Sequence, residues 1–423
     1  MSRKYRFHGV DRVKLEIEWA AKNKIKYLFN ADSNFGMHKR DEEISQILVD
    51  TKTKFGFPDK FRTCFGKNAD ERIYGIAKQL HDAGMEKGIT LALQSNDPQV
   101  LKNINRQNIK MEAYKNLQVK FNEAEVPVYS ELILGMPGET LDTWKAGIET
   151  LLQAGLKNQL FIYLCQVFPN TEMSEPDYQK KFGIITKRIA LNEIHGAIRA
   201  EDLTTEFEDV IVTTDSMSLE MWREMVLFSW LTMTLHSLKI GFFIMLYLAN
   251  KHGRKYTDFI NHVMHSETPY LKNEILEFNS QLDRILEGKG RGRIVEGYPI
   301  YWDEEEASFL RISEHSIGFY RELYSVIQDF QKCDEEELDD VLKYQRLMTP
   351  HFGGIELVHT YFSHNVCEYF DKILSPKPVE LVKEIQLGKF TRRLFEDKQT
   401  FAKETILWGR KSGTIMNKCE HYS

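Results

Sequence analysis

Through its first 170 residues the chain repeats one pattern, a short apolar run followed by a charged amphipathic stretch, and this constrains the fold more than any other feature. The apolar runs are Ile25–Phe29, Phe61–Phe65, Ile89–Gln94, Val128–Leu134 and Gln159–Val167, with starts that recur every ~30 to 40 residues. Between them, Leu15 and Trp19, Ile44 and Leu48, and Ile73, Ala77 and Leu80 fall at helical three-to-four spacing with charge opposite. A parallel strand pair needs a crossover of about a dozen residues or more, and these helices supply it. The pattern therefore predicts βα units around a parallel sheet, an α/β fold. Gly84 and Gly155 stand where helices must leave through a left-handed turn. In an open sheet or a barrel alike, chemistry collects where the βα loops leave the carboxyl ends of the strands.

The alternation stops near residue 185, which divides the 423 residues into an α/β part, 1–185, and a mainly helical part, 186–423. Thr204 to Met225 reads as one more strand and a turn, and "LEGKGRGRIVEGYPIYWDEEE", residues 286–306, as a loop over a site or a plain linker. The stretch from Trp408 onward reads as a loose tail. An apolar stretch from Met225 is divided by His236, Lys239 and Gly241 into runs short of the ~20 residues a membrane span needs, so it predicts buried helices and no membrane. A net charge of -6 gives no reason to expect nucleic acid. Cys64, Cys165, Cys333, Cys367 and Cys419 show no CxxC or CxxxC spacing and read as a reduced, cytoplasmic set. The basic amino terminus lacks the apolar region of a signal peptide. His195 and the acidic run at 334–340 read as structural and solvated.

The positions just after each strand form a coherent set. The first strand ends in "NADSNFG", the third in "QSNDP", the fourth in "GMPGET" and the fifth in "FPNTEM". Small polar groups, acids and glycines on one rim suit the amine, ribose and base of a nucleoside-like ligand, with no general-base histidine among them. Each has a plainer reading. Asp32 and Asn34 serve as turn formers, Gln94 and Ser95 as a helix cap, and Arg106 as a surface cation. Thr140 reads as an N-cap in any case, with Glu139 favouring the positive helix end. A lone Gly-rich turn is weak, since neither GxGxxG nor the Walker pattern is present. The order of all four carries the weight.

In that order, "FNADSNFG", "LALQSNDPQVLKNINRQN", "YSELILGMPGET" and "FIYLCQVFPNTEM" resemble successive motifs of the radical S-adenosylmethionine (SAM) enzymes, in the cobalamin-binding branch with an elongator-like core. The resemblance covers roughly residues 10 to 175 and implies a partial TIM-like (βα) barrel followed by a mostly helical region. It implies that Asp32, with Asn30 and Asn34, receives the methionine amine of SAM. Gln94 and Ser95 fall near the ribose, and Arg106 faces the methionine carboxylate, which its planar fork suits. Glu131 takes the acidic place in its strand, Ile133, Leu134 and Gly135 lie against the adenine, and Cys165 and Phe168 lie on its other side.

One departure stands out. The family's CxxxCxxC loop, whose thiolates hold a [4Fe–4S] cluster, is not in this sequence. The expectation is therefore the carboxyl-terminal part of a radical SAM, cobalamin-type enzyme, with SAM as its own ligand and an unknown substrate. The cluster and the cobalamin are expected on an upstream polypeptide, and the isolated chain is not expected to be catalytically competent. A missing first strand would leave an unpaired sheet edge. The alternatives are a non-catalytic SAM- or nucleoside-binding protein, or the partner subunit of a split enzyme, and, more remotely, an unrelated α/β enzyme using Asp32, Glu131 and Glu139.

Overall fold

A computed structural model describes residues 6–66, 71–86, 88–196 and 204–422. Arg3 and Lys4 of the basic amino terminus, and Asp70 at the start of one expected helix, lie outside the described residues. The α/β part runs α1 (Val10–Lys22), β1 (Tyr27–Phe29), α2 (Arg40–Phe55), β2 (Lys60–Arg62), α3 (Glu71–Asp82), β3 (Ile89–Gln94), α4 (Pro98–Asn103), α5 (Met111–Glu123), β4 (Val128–Leu134), α6 (Leu141–Gln153), β5 (Leu160–Leu164) and α7 (Pro176–Lys181). All five expected strands are present, the first, second and fifth shorter than the apolar runs that announced them. β1 and β2 pair in parallel with Leu28 opposite Phe61, and β3, β4 and β5 form a separate sheet in that order. Among the described residues the strands do not close into a barrel.

The chain divides into two compact units whose boundary cuts β3 and β4. The first, Met1–Leu93 with Asn108–Ser130, buries Leu48, Ile73, Leu80, Tyr114 and Phe121. Here the α1 reading fails: Leu15 and Trp19 are exposed, and Ile17, Ala20 and Ala21 face the core instead. The small alanines let the helix pack closely, so spacing alone selected the wrong face. Tyr27 and Phe29 of β1 are exposed as well.

The second unit, Gln94–Gln107 with Glu131–Ser423, contains more strand than its sequence suggested. It continues β6 (Ile185–Ala190), β7 (Phe207–Thr213), α8 (Leu219–Thr232), α9 (Phe242–His252), α10 (Tyr256–Met264), α11 (Pro269–Leu286), β8 (Arg293–Val295), β9 (Tyr298–Trp302), α12 (Glu304–Glu314), α13 (Ser316–Phe330), α14 (Glu335–Met348), β10 (Leu357–Phe362), α15 (Val366–Lys372), β11 (Gln386–Thr391), α16 (Lys398–Ala402), α17 (Gly409–Ser412) and β12 (Lys418–Tyr422). β6 and β7 are antiparallel, β8 and β9 make a hairpin out of the expected linker, and β10, β11 and β12 form an antiparallel sheet. The expected loose tail therefore ends in a paired strand.

No single helix among the described residues is long and apolar enough to cross a membrane. α8 runs into a π-helical turn, Met233–Ser237, and the chain then bends by 90° into α9, with every residue from Phe228 to Leu248 buried in the unit. The residues that divided this stretch in sequence make the break. His236 Nε2 lies 2.8 Å from the Leu156 carbonyl, and the Lys239 ammonium lies 3.7 Å from the centre of the Phe242 ring.

Candidate active site

In the second unit, a cleft of about 340 Å³ opens at the ends of the strands, with Gln94, Ile133, Cys165 and Phe168 in its wall beside Met136 and Met173. Strand alternation explains which residues reach it. Along β4 every other side chain is buried, so Ile133 faces the cleft while Leu134 sits in the core on the opposite side. Leu134 contributes through its backbone, its carbonyl accepting from Cys165 N–H at 2.8 Å. Gln94, the last residue of β3, adopts φ 64°, a conformation side chains other than Gly avoid. Burial pushes the Cys165 thiol up to about 12, so at neutral pH it is an uncharged wall. Phe168 is 60% exposed and forms the rim.

The turn after β4 is clamped from several sides. Gly135 has φ 97°, and a Cβ there would lie 3.4 Å from the Ile211 carbonyl of β7. Gly138 has φ 95°. Asn103 Nδ2 donates to the Pro137 carbonyl at 2.9 Å, and Gly138 N–H donates to Ser216 Oγ at 3.1 Å. Thr140 caps α6 as expected, in a reciprocal box with Thr143. Ser95 turns away from the cleft wall. It is buried, donates to Glu139 Oε2 at 2.9 Å and accepts from Asp97 N–H at 3.1 Å. Burial raises the pKa of Glu139 against the opposing hydrogen bonds of Thr143 and Ser95. Arg106, half-buried, has its pKa lowered by burial. Neither it nor Glu131, also half-buried, belongs to the cleft wall.

Asn30, Asp32 and Asn34 lie in the first unit, in the wall of a cavity of about 580 Å³ that also takes in Arg6, His8 and Arg40. Their side chains are partly occupied by turn formation. Asn30 Oδ1 accepts from Asp32 N–H at 3.2 Å, and Asp32 Oδ1 from Asn34 N–H at 2.9 Å.

A second cavity of the second unit, about 310 Å³, lies against the first cleft and shares Tyr163, Leu164 and Arg291 with it. Asp303, Glu304, Glu305 and Glu306, at the start of α12, line it together with His195 and Arg410. Arg410, 3% exposed, comes from the segment expected to be a tail. Its guanidinium donates to Gln159 Oε1 at 3.0 Å, to Glu306 Oε1 at 2.6 Å and to Glu305 Oε1 at 3.2 Å. Burial would raise the Glu306 pKa, but Arg410 and His195 outweigh it and hold the carboxyl below its usual range. Burial would likewise lower His195, but Glu306 Oε2 at 2.6 Å raises it. His195 is therefore part of a structural ion network. The 334–340 run is structural, as expected, but not solvated throughout: Asp334 caps α14, while Glu337 and Asp340 are buried, Glu337 accepting from Tyr247 Oη–H at 2.6 Å and Asp340 from the Ser363 and His364 N–H groups at 2.8 and 2.9 Å. The one signal in the sequence for this cluster was four acids directly after the apolar "YPIYW".

No family model matches the chain. It is 29% identical over 405 residues to the cobalamin-dependent radical SAM methyltransferase TokK of Streptomyces tokunonensis, a match covering 88% of this chain and 58% of TokK. It is 34% identical over 256 residues to a 2-(S-pantetheinyl)-carbapenam-3-carboxylate methyltransferase of Streptantibioticus cattleyicolor, covering 60% of this chain and 37% of that protein. The chain thus spans less than two thirds of the length of these curated relatives. Among solved structures it is similar to the radical SAM methyltransferase TsrM of Kitasatospora setae, at 16% identity and a TM-score of 0.38 over 52% of this chain and 45% of TsrM. Along most of its length, the chain is homologous to cobalamin-dependent radical SAM methyltransferases.

Proposed function

We propose that this chain is the SAM-holding part of a cobalamin-type radical SAM methyltransferase, and that the cleft at the ends of β3, β4 and β5 seats the adenosine. The observation that carries this reading is that Gln94, Ile133, Cys165 and Phe168, four of the residues singled out from strand-end motifs, line one cleft. Ile133, Met136 and Phe168 offer flat apolar contact to a purine, the neutral Cys165 adds no charge, and the constrained backbone at Gln94 presents its polar groups at the edge. Arg106 as partner of the methionine carboxylate belongs to the same reading, and Asn30, Asp32 and Asn34 of the first unit are assigned to the amine on the motif resemblance alone. A partial barrel over residues 1–185, a separate region over 186–423 and a cytoplasmic location also belong to this reading.

The donor set does not fit a [4Fe–4S] cluster. Cys64 is exposed and Cys165 is buried as a thiol in a different unit. Among the described residues no three His, Cys, Asp or Glu side chains converge as metal ligands. On this reading the cluster and cobalamin are held by residues other than these, in another segment or another polypeptide, and the chain alone binds SAM without cleaving it. Titration calorimetry with SAM tests the cleft. Phe168→Ala is expected to weaken binding by roughly tenfold through lost stacking, and Ile133→Trp to abolish it by filling the space. Unchanged affinity in both would overturn the assignment, and unchanged affinity in Asp32→Ala would remove Asp32 from it. Anaerobic reconstitution with iron and sulfide tests the rest: a stable cluster on this chain alone would overturn the view that its ligands lie elsewhere.

A further inference from the structure

Two cysteines that are far apart in sequence meet in the carboxyl-terminal sheet. Side chains alternate along β11, so Gln386, Gly388 and Phe390 share its buried face. In the antiparallel register Cys419 of β12 stands opposite Phe390, and His421 opposite Gly388, which places both on that same face. The first turn of α15 lies over it. Cys367 N–H donates to Gln386 Oε1 at 2.8 Å, Gln386 Nε2 lies 3.5 Å from His421 Nδ1, and Cys367 Sγ lies 3.0 Å from where a Cβ on Gly388 would stand. Gly388 and Cys419 are diagonal neighbours across the ladder, at about 7 Å. The Cys419 side chain therefore reaches toward the Cys367 sulfur across a residue with no side chain to separate them.

The chemistry of Cys367 agrees with this placement. The Cys419 thiol, ahead of burial, raises its pKa, and a neutral thiol acts on another in this way only at short range. Cys367 is buried, Cys419 is half-buried, and both are free thiols. Both line one cavity of about 120 Å³, which leaves their side chains room to turn.

We propose that Cys367 and Cys419 are a redox pair whose reversible disulfide staples the terminal strand β12 to α15. The oxidant is a small-molecule disulfide. Cys419, the more accessible sulfur, attacks it as the thiolate and releases one small thiol. Cys367 then gives up its proton and displaces the second small thiol from the mixed disulfide. Two protein thiols are oxidised to one disulfide, and the small disulfide is reduced to two thiols that carry the two protons. The segment that ends in β12 also brings Arg410 and Lys411 to the wall of the cavity beside α12, so the staple fixes that wall. The pair uses none of the residues of the SAM reading and stands independently of it.

Oxidised glutathione is the probe, applied to the full chain and followed by denaturing alkylation, digestion and mass spectrometry. The native chain is expected to yield peptides joined through Cys367 and Cys419, lighter by two hydrogens than the separate pair and released by dithiothreitol. Cys367→Ser is expected to stop at the mixed disulfide, with glutathione retained on Cys419, and Cys419→Ser to leave Cys367 unmodified; melting curves like the native one show that both fold. A native chain that keeps glutathione on Cys419, or leaves both thiols free, would overturn the pair whatever the variants do. Hydrogen exchange tests the staple: the β12 amides of the oxidised chain are expected to exchange at least roughly tenfold more slowly than those of the reduced chain, through loss of local opening. Equal rates would overturn it.

Discussion

Replacing Arg410 by methionine removes the cation at the centre of the buried acid cluster while keeping an unbranched apolar side chain of similar reach. The guanidinium is 3% exposed and reaches three side chains, Gln159, Glu305 and Glu306. Its loss leaves two carboxyls at 5% and 2% side-chain exposure without their main counter-charge. Removing one partner of a buried ion pair costs about 3–5 kcal/mol, because the remaining charge stays desolvated. The cost must depend on pH. In the native chain Arg410 holds Glu306 ionised against burial, while burial already pushes Glu305 up to about 8 against the pull of Arg410; without Arg410 both carboxyls are driven further toward the neutral form, and acid relieves the penalty. Each pKa unit by which a carboxyl rises is worth ~1.4 kcal/mol, so the destabilisation should shrink by at least about 1 kcal/mol between pH ~7.5 and ~5.5. Equilibrium urea unfolding followed by tryptophan fluorescence at both pH values measures this. Adding Glu306→Gln to Arg410→Met should recover roughly 1–3 kcal/mol by removing one stranded acid. A pH-independent loss under ~1 kcal/mol would refute the reasoning, since it would mean that water already solvates these carboxylates.

Three other outcomes follow from named contacts. The His195 pKa is raised in the folded chain, so its stabilisation is fully present below an unfolded value of ~6.5 and is lost as pH rises through the folded one. His195→Gln should therefore cost roughly 1 kcal/mol near pH 6 and progressively less above neutrality, as melts across pH will report; a gap that widens with pH would contradict this. Gly138→Ala places a Cβ 2.6 Å from Asn103 Nδ2 at φ 95°. It should lower stability by about 1–3 kcal/mol, and adding Asn103→Ala should relieve the clash without restoring the native melting temperature. In native-state alkylation by iodoacetamide, exposed Cys64 should react while Cys165, buried and pushed up to about 12, reacts only after denaturant is added; equal rates would contradict its burial.

What was readable in the sequence was what is decided locally. Strand β4 was placed residue for residue because its alternation and its terminal glycines are short-range properties, and the N-cap at Thr140 needs only the next three residues. The same locality explains the α1 error: Leu15 and Trp19 have the correct spacing for a buried face, but so do Ile17, Ala20 and Ala21, and only what packs against the helix chooses between them. The acid cluster fails the local test altogether. The four consecutive acids close a stretch that reads as a loop or a plain linker, and Arg410, in a segment that looked like a tail, stands 104 positions from the Glu306 it neutralises. Composition registers only that such charges exist. Their meaning depends on which of them burial pairs and which it leaves over: Arg410 binds Glu305 and Glu306, while both oxygens of Glu304 are buried without a hydrogen-bond partner. Pairing by long-range contact thus isolates Glu304 from neighbours of the same chemical type, and a reading of the sequence weighs all four alike.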